Sequence, residues 1–462
     1  MKKIIMAVLT LSLSSCGIYN SYQPKTEADV RTDLYGAMDG GSSAISTADT
    51  SFAALSWREL FIDPQLQALI DTCLRHNADI ETARLHVDQA NAGLSAARLS
   101  YLPSIAFAPN GVLTKYGLDG ATTAKAYTLP LQAQWQIDAF GLLRNQHREK
   151  KAVRDMMLDV QQATTTALIG GVANTYYTLA MLDEQIRIAR ETSQNWSETV
   201  RTIRTLMQAG MANQAAVSQL EAAQHGVDVQ LLSLEQSRNE VCNALSLLLN
   251  EPAGSRKDLH PQLGGFIMPE TLGIGLPCRL LYARPDVRAA EANLRAACYA
   301  NKAASSAFFP QLNLTGTFGW TNTTGSAIIN PAFTITQLVG SLVQPIFAHG
   351  GLIAQKRAAK DELEIARIAF EHKLLEAGTE VCNHLDACLK ARNKSRLFAE
   401  QVAALETASR ATQLTMEHGT ATYLDVLTAR QSLLSAQLGQ VANRFAEIQA
   451  TIDLFTALGG DV

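Results

Sequence analysis

The chain has 462 residues, 47% of them hydrophobic but only 6% aromatic, and a formal net charge of −4. Length alone suggests two or three domains, while few aromatics beside abundant Ala, Leu, Gln and Ser suit long, closely packed helices better than a β-sandwich or a mixed α/β enzyme. The charge balance leaves no basic footprint, which argues against nucleic acid as a partner.

The chain opens with Lys2 and Lys3, an apolar run from Ile4 to Leu13, and then Leu13-Ser14-Ser15-Cys16-Gly17. A charged start, an apolar core too short to span a bilayer and small residues before a cut describe a secretory signal over 1–15. The cysteine placed directly after the small pair resembles a bacterial lipobox. That resemblance implies that Cys16 carries the lipid and begins the mature protein. The other cysteines (Cys73, Cys242, Cys278, Cys298, Cys382 and Cys388) show no CxxC pair and no metal spacing, and read as small buried thiols.

From Gly17 to about Ser56 the sequence is polar and weakly patterned. Helical patterning starts near Trp57, runs through Leu66, Leu69, Ile70 and Leu74 to Leu99, and stops at Tyr101-Leu102-Pro103. The period then changes. Over 126–137, Tyr127, Leu129, Leu131, Ala133, Trp135 and Ile137 alternate with Thr128, Gln132, Gln134 and Gln136. Period two predicts a strand, and an apolar face opposite a glutamine face fits lipid on one side and water on the other. Residues 104–115 offer a weaker partner strand. A long helical run follows to Gln208, turns at Ala209-Gly210, and a second helix runs from about Asn213 to Leu249; residues 251–277, with Pro261, Pro269 and Pro277 among them, read as a connector.

The second half repeats the first. Asp79-Ile80 is answered by Asp286-Val287, Leu102-Pro103 by Phe309-Pro310, Phe140 by Phe347 and Ala209-Gly210 by His418-Gly419. Strands are expected again over 311–320 and 333–344. The last two helices carry apolar rows at a coiled-coil period: Leu363, Ala366, Phe370, Leu374, Ala377, Val381, Leu385 and Cys388 going out, and Leu424, Leu427, Leu434, Leu438, Val441, Phe445, Ile448, Ile452 and Phe455 coming back. No catalytic constellation stands out. His76 and His86 are ten apart, the wrong spacing for a shared metal, and neither a P-loop nor a GxSxG motif occurs. An enzyme is not expected, nor is a cofactor or a metal.

Trp135-Gln136-Ile137-Asp138-Ala139-Phe140-Gly141, the stretch Ala283 to Glu291, Gln344-Pro345-Ile346-Phe347 and the stretch Gly419 to Leu427 together resemble the TolC-like outer-membrane channels. The likeness is to the lipoprotein branch (OprM and NodT type) that serves multidrug pumps, and it covers nearly the whole mature chain. It implies a mainly α fold with a β-barrel part: a homotrimer sharing a roughly twelve-stranded outer-membrane barrel, four strands per chain, continued by a long periplasmic α-helical barrel. The division it suggests is a lipidated segment over 16–56 on the equatorial region, a first repeat over 57–250, an equatorial connector over 251–277, a second repeat over 278–458 and a tail over 459–462.

By the same resemblance the function is a passive exit duct for drugs or other small molecules, working with a periplasmic adaptor (a membrane fusion protein) and an inner-membrane transporter of the resistance-nodulation-division (RND) type. A duct for type I protein secretion, and a coiled-coil lipoprotein scaffold without a pore, are the alternatives. The turns at Gly210, Met211, Gly419 and Thr420 are the implied adaptor-docking points, and Leu424, Asp425 and Thr428 the implied periplasmic gate. Thr428 stands where many relatives carry a further aspartate, and Thr422 with Asp425 also reads as a capping box.

Overall fold

The computed structural model describes residues 21–24, 56–116, 122–266, 284–322, 333–418 and 421–460. Cys16, Cys278, Gly419 and Thr420 lie outside the described residues. The elements in order are α1 (Trp57–Leu60), α2 (Pro64–His76), α3 (Ala78–Leu99), β1 (Ser104–Phe107), β2 (Asn110–Tyr116), β3 (Thr122–Ile137), α4 (Leu142–Gln208), α5 (Gln214–Leu248), a 3-10 turn (Leu263–Gly265), α6 (Pro285–Ser306), β4 (Gln311–Asn322), β5 (Phe333–Val343), α7 (Gly351–Glu417) and α8 (Tyr423–Ala457). The repeat shows in the lengths: α3 and α6 have 22 residues each, α4 and α7 have 67, α5 and α8 have 35. At about 1.5 Å per residue, α4 and α7 are each roughly 100 Å long.

Three local readings of the sequence are corrected. The helix expected from Trp57 to Leu99 is broken twice, because Asp63 caps α2 ahead of Pro64 and Asn77 leaves the helix with extended backbone. The strand expected over 104–115 is split into β1 and β2, because Pro109 between them has no N–H for the ladder. β3 begins at Thr122, four residues before the expected start at 126, because its ladder with β2 continues from Val112↔Ala126 to Tyr116↔Thr122. Backbone pairing needs no apolar side chain, so the strand outruns the pattern that reveals it.

The chain divides into two compact units, one of residues 1–26, 85–159 and 288–373, the other of 27–84, 160–287 and 374–462. The first unit holds an antiparallel sheet ordered β1-β3-β4-β5, with β2 pairing the same edge of β3 as β1. The sheet therefore has four strand positions, one of them shared. Pro130 in β3 faces the break in that shared position: its carbonyl accepts from Ala108 N at 3.1 Å, and its missing N–H points to the same edge, so a single ladder bond is lost. On the other side Pro130 pairs with Gly319, where a Cβ would lie 2.3 Å from the Leu129 carbonyl oxygen. Only glycine lets β3 and β4 approach so closely.

Side-chain bonds lock the sheet to its helices. Asp138 accepts from the backbone N–H groups of Leu143 (3.1 Å) and Arg144 (2.8 Å), satisfying two free donors in the first turn of α4. Trp135 Nε1 donates to the Tyr101 carbonyl at 2.8 Å, Phe140 stacks on Phe309 with centroids 5.3 Å apart, and Gln344 Nε2 donates to the Phe308 carbonyl at 2.8 Å.

The second unit is a helical bundle. Trp196, Val200 and Ile203 of α4, Val217 and Leu220 of α5, and Leu434 and Val441 of α8 share one core. Helix ends are closed by equivalent devices in the two repeats. Asn77 Nδ2 donates to the Leu248 carbonyl at 2.9 Å, at the end of α5. Its counterpart Arg284 donates to the Ala457 carbonyl at 3.0 Å, at the end of α8, and pairs with Asp286 and Glu380, each at 2.7 Å. Burial works against the Arg284 charge, but the two carboxylates outweigh it and hold its pKa above the usual value.

Candidate functional site

Pairing register decides which side chains share a face of the sheet. Trp135 lies opposite Leu314, Leu131 opposite Phe318, Leu129 opposite Trp320 and Ile137 opposite Leu312. In β5 the same face carries Leu342 and Leu338, and in β1 it carries Ile105 and Phe107. These residues form one continuous apolar surface that the described residues leave uncovered: Leu131 is 47% exposed, Phe318 62% and Leu338 73%. A hydrocarbon-facing surface explains it, since an apolar patch of this extent in water is costly. Trp320 and Trp135 lie about 20 Å apart along this face, with Ile137, Leu312 and Leu342 just beyond Trp135, a spacing that suits rings settling near the two interfaces of an apolar band.

The opposite face carries Gln132 against Thr317, Gln134 against Thr315, Gln136 against Asn313, and Asn313 against Ser341. These are neutral amides and hydroxyls, able to hydrogen-bond water without fixing an ion. Among the described residues neither outer edge of the sheet is paired, neither β5 nor the β1/β2 edge. Open edges cannot stand in lipid, so the sheet calls for further strands from outside the chain.

The turn between α4 and α5 has a Schellman geometry: Met211 N donates to the Leu206 carbonyl at 2.8 Å and Gly210 N to the Met207 carbonyl at 2.9 Å, with Gly210 at φ 77°. Glycine is therefore required here for backbone reasons. Met211 follows it, 76% exposed, and Asn213 caps α5 by accepting from Ala216 N at 2.8 Å. Of the corresponding second turn, Glu417 ends α7 and Thr422 caps α8.

The three residues implied as a gate sit in the first turns of α8. Asp425 and Thr422 close a capping box: Thr422 N and Thr422 Oγ1 both donate to Asp425 Oδ2, at 2.8 and 2.7 Å, while Asp425 N donates to Thr422 Oγ1 at 3.4 Å. Those hydrogen bonds from Thr422 hold the Asp425 carboxyl below the ordinary aspartate range. Leu424 is 52% exposed, a large apolar side chain at the surface of its own chain. Thr428 Oγ1 donates to the Leu424 carbonyl at 2.9 Å, one turn back along its own helix.

The sequence reading passed over a residue that the structure places beside them. Arg430, on the next turn of α8, donates to Thr199 Oγ1 at 2.6 Å and the Asn195 carbonyl at 3.3 Å on α4, and to Gln413 Oε1 at 2.8 Å on α7. Its guanidinium also lies 5.6 Å from the centroid of the Trp196 ring. Burial lowers its pKa, with the Glu198 carboxylate working the other way. One arginine thus ties three helices, in a part of the chain where sequence motifs point only to Gly419 through Leu427.

Among the described residues, no group of three or more His, Cys, Asp or Glu side chains could hold a metal ion, and no helix is long and apolar enough to cross a membrane. The comparisons point one way. The model of the family described as outer membrane efflux protein matches residues 69–251 and 276–460. The probable outer membrane lipoprotein SilC of Salmonella typhimurium is 27% identical over 423 residues, covering 90% of each chain. The toluene efflux pump outer membrane protein TtgC of Pseudomonas putida is 27% identical over 473 residues, covering 98% of this chain and 94% of that protein. The open-state crystal structure of the MtrE outer membrane channel of Neisseria gonorrhoeae superposes with a TM-score of 0.83 at 26% identity, over 96% of this chain and 97% of that one.

Proposed function

The chain belongs to the outer membrane efflux protein family and is an outer-membrane efflux channel, and from that premise we propose that it works as a homotrimeric exit duct, fed by a periplasmic adaptor and an energised RND-type inner-membrane transporter. The observation that carries the trimer is the sheet itself, with four strand positions, an uncovered apolar face, a neutral hydrogen-bonding face and two open edges. Three copies joined edge to edge give roughly twelve strands, enough to enclose water and to remove every edge from lipid. The duct performs no chemistry: it supplies a wetted path, and the energy and the choice of cargo come from its partners.

Within this reading the Gly210-Met211 turn and its counterpart at Gly419-Thr420 receive the adaptor, Cys16 carries the lipid anchor, and Leu424, Asp425 and Thr428 line the periplasmic entrance. Three Asp425 carboxylates on a threefold axis would repel one another, which opposes the lowering that Thr422 imposes in each chain, and would draw in cations.

Cysteines placed at Ile105, on the β1 edge, and at Leu342, on β5, test the assembly. Oxidation of the purified protein should give a ladder ending at a three-chain band. Crosslinked dimers that never extend to three, or a protein whose mass in detergent is that of a single chain, would overturn the shared barrel. Mass spectrometry of the N-terminal peptide tests the anchor: Cys16 should be acylated and first in the mature chain, and an unmodified Cys16 contradicts it.

A further inference from the structure

The two long hairpins, α4 with α5 and α7 with α8, present a matching problem. Their helices have the same lengths, 67 and 35 residues, and Leu142 corresponds to Gly351 just as Gln214 corresponds to Tyr423. Near the turn both return helices bury apolar side chains, Val217, Leu220 and Val227 of α5 and Val426, Leu434 and Val441 of α8, whereas farther along Ile448 and Ile452 of α8 are buried where α5 carries exposed Asn239 and Asn243. Hydrophobic burial therefore opposes an exchange of α5 and α8 at one end only. In an assembly of several copies, the exchange could also run between chains.

The charged rungs between the helices do distinguish them. In the first hairpin Arg238 of α5 pairs with Asp183 of α4, and both side chains are largely buried. The corresponding rung of the second hairpin is Arg392 of α7 with Glu447 of α8, at 3.5 Å, with Glu447 also largely buried. Acid and base have changed helices. Further along, Arg190 of α4 pairs with Glu235 of α5 at 2.9 Å, and the counterpart of Glu235 is Arg444, which bonds Glu447 at 3.0 Å. Nearer the turn Arg204 of α4 pairs with Glu221 of α5. The counterparts there are Gln413 and Arg430, joined at 2.8 Å. At all three levels, therefore, α8 carries the sign of α4 and the opposite of α5. If α8 lay in the place of α5, Asp183 would face Glu447, Arg190 would face Arg444 and Arg204 would face Arg430. If α5 lay in the place of α8, Arg392 would face Arg238, and Glu235 and Glu221 would lose their arginines.

We propose that these sign-inverted rungs are a pairing code, which assigns each long helix its own return helix and rejects exchange of α5 and α8 within a chain or between chains. Like charges brought together in a partly buried rung are penalised far more than a surface pair rewards. The code therefore works mainly by rejecting wrong pairs, as charged flanking positions do in coiled coils. It also accounts for why Arg430 is free to reach across to α4: its counterpart Glu221 finds an arginine within its own hairpin, whereas Arg430 faces the neutral Gln413 and has donors left for Thr199 and the Asn195 carbonyl.

The buried rung gives the test, using the full-length chain refolded into detergent. Four forms are compared: the parent, the first hairpin reversed (Asp183→Arg with Arg238→Asp), the second reversed (Arg392→Glu with Glu447→Arg), and both reversed. Each keeps unlike charges across the Asp183–Arg238 and Arg392–Glu447 rungs, although Glu447→Arg sets a second cation beside Arg444 and Arg238→Asp sets a carboxylate beside the Lys257 and Leu259 carbonyls. A single reversal makes the exchanged pairs unlike, and the double reversal makes them like again. Pairing is read with cysteines at Ser193, Asp228 and Gln437 and the other cysteines replaced. Ser193 Oγ lies 2.6 Å from Asp228 Oδ1, so the native hairpin forms the 193–228 disulfide, whereas Gln437 is the counterpart of Asp228 and reports exchange. The 193–437 share should rise roughly threefold to tenfold over the parent in either single reversal, and return to the parent value in the double reversal despite its four altered side chains. The same share in all four forms overturns the code. So does a rise that simply adds in the double reversal, since that would report local damage rather than pairing.

Discussion

Leu131 and Gln132 are neighbours whose side chains point to opposite faces of β3, with Phe318 and Thr317 across from them. That alternation was legible in the sequence from one strand alone, because period two is written directly in side-chain chemistry. Leu131→Arg places a charge on the apolar face and should cost roughly 2–4 kcal/mol of membrane-inserted stability if it sits at mid-bilayer, whereas Gln132→Arg should leave assembly close to the parent. Trimer yield in outer-membrane fractions checks both, and equal tolerance would contradict a lipid-facing surface. Asp425 is the opposite case, where the cap is visible within a chain and the gate role proposed for it is not. Its pKa is lowered in the folded chain, so its contribution to the start of α8 is complete above the ordinary carboxylate range and fades as pH falls through the lowered value. Asp425→Ala should weaken block by multivalent cations, while Asp425→Asn retains part of the cap and loses the charge. If Asp425→Asn is blocked by cations as strongly as the parent in single-channel recordings, the carboxylate is only a cap.

At the level of elements, the sequence revealed the long helices, both turns and the repeat, since the apolar rows recur over many turns and glycine marks the break. In α7 the row from Ala366 to Cys388 is buried throughout, and in α8 Leu434, Val441, Ile448, Ile452 and Phe455 are buried. The interruptions at Asn77 and Pro109 were missed because each is a single residue acting through its backbone, against a side-chain pattern that carries on around it. The Arg430 bridge was missed for a different reason. Its partners Asn195, Thr199 and Gln413 are uncharged and lie 235, 231 and 17 positions away, and nothing in a sequence marks such a set. Arg430→Ala removes hydrogen bonds to three uncharged groups, leaving no buried charge behind. It should cost roughly 1–2 kcal/mol and loosen α8 against α4. Arg430→Lys keeps the charge but cannot span both helices and should behave similarly. Hydrogen exchange of the first turns of α8 checks this, with faster exchange expected in both variants; unchanged exchange would mean that the apolar core holds this end without the bridge.

For the molecule as a whole, the sheet and the helices each state that the chain is incomplete alone. Among the described residues the sheet leaves an apolar face and two edges without a partner, and the helices expose Ile365, Ile368, Leu375 and Leu389 along α7, a row that a neighbouring copy would cover. The central claim is that three copies enclose a conducting path whose narrowest part involves Leu424 and Asp425. Single-channel recording in planar lipid bilayers, parent against Leu424→Ala, tests it most directly. Purified trimers should give discrete, long-lived conductance steps, and Leu424→Ala a larger step. Trimers that insert but pass no current in either form would contradict a duct, and equal steps in the two would place the constriction elsewhere than Leu424.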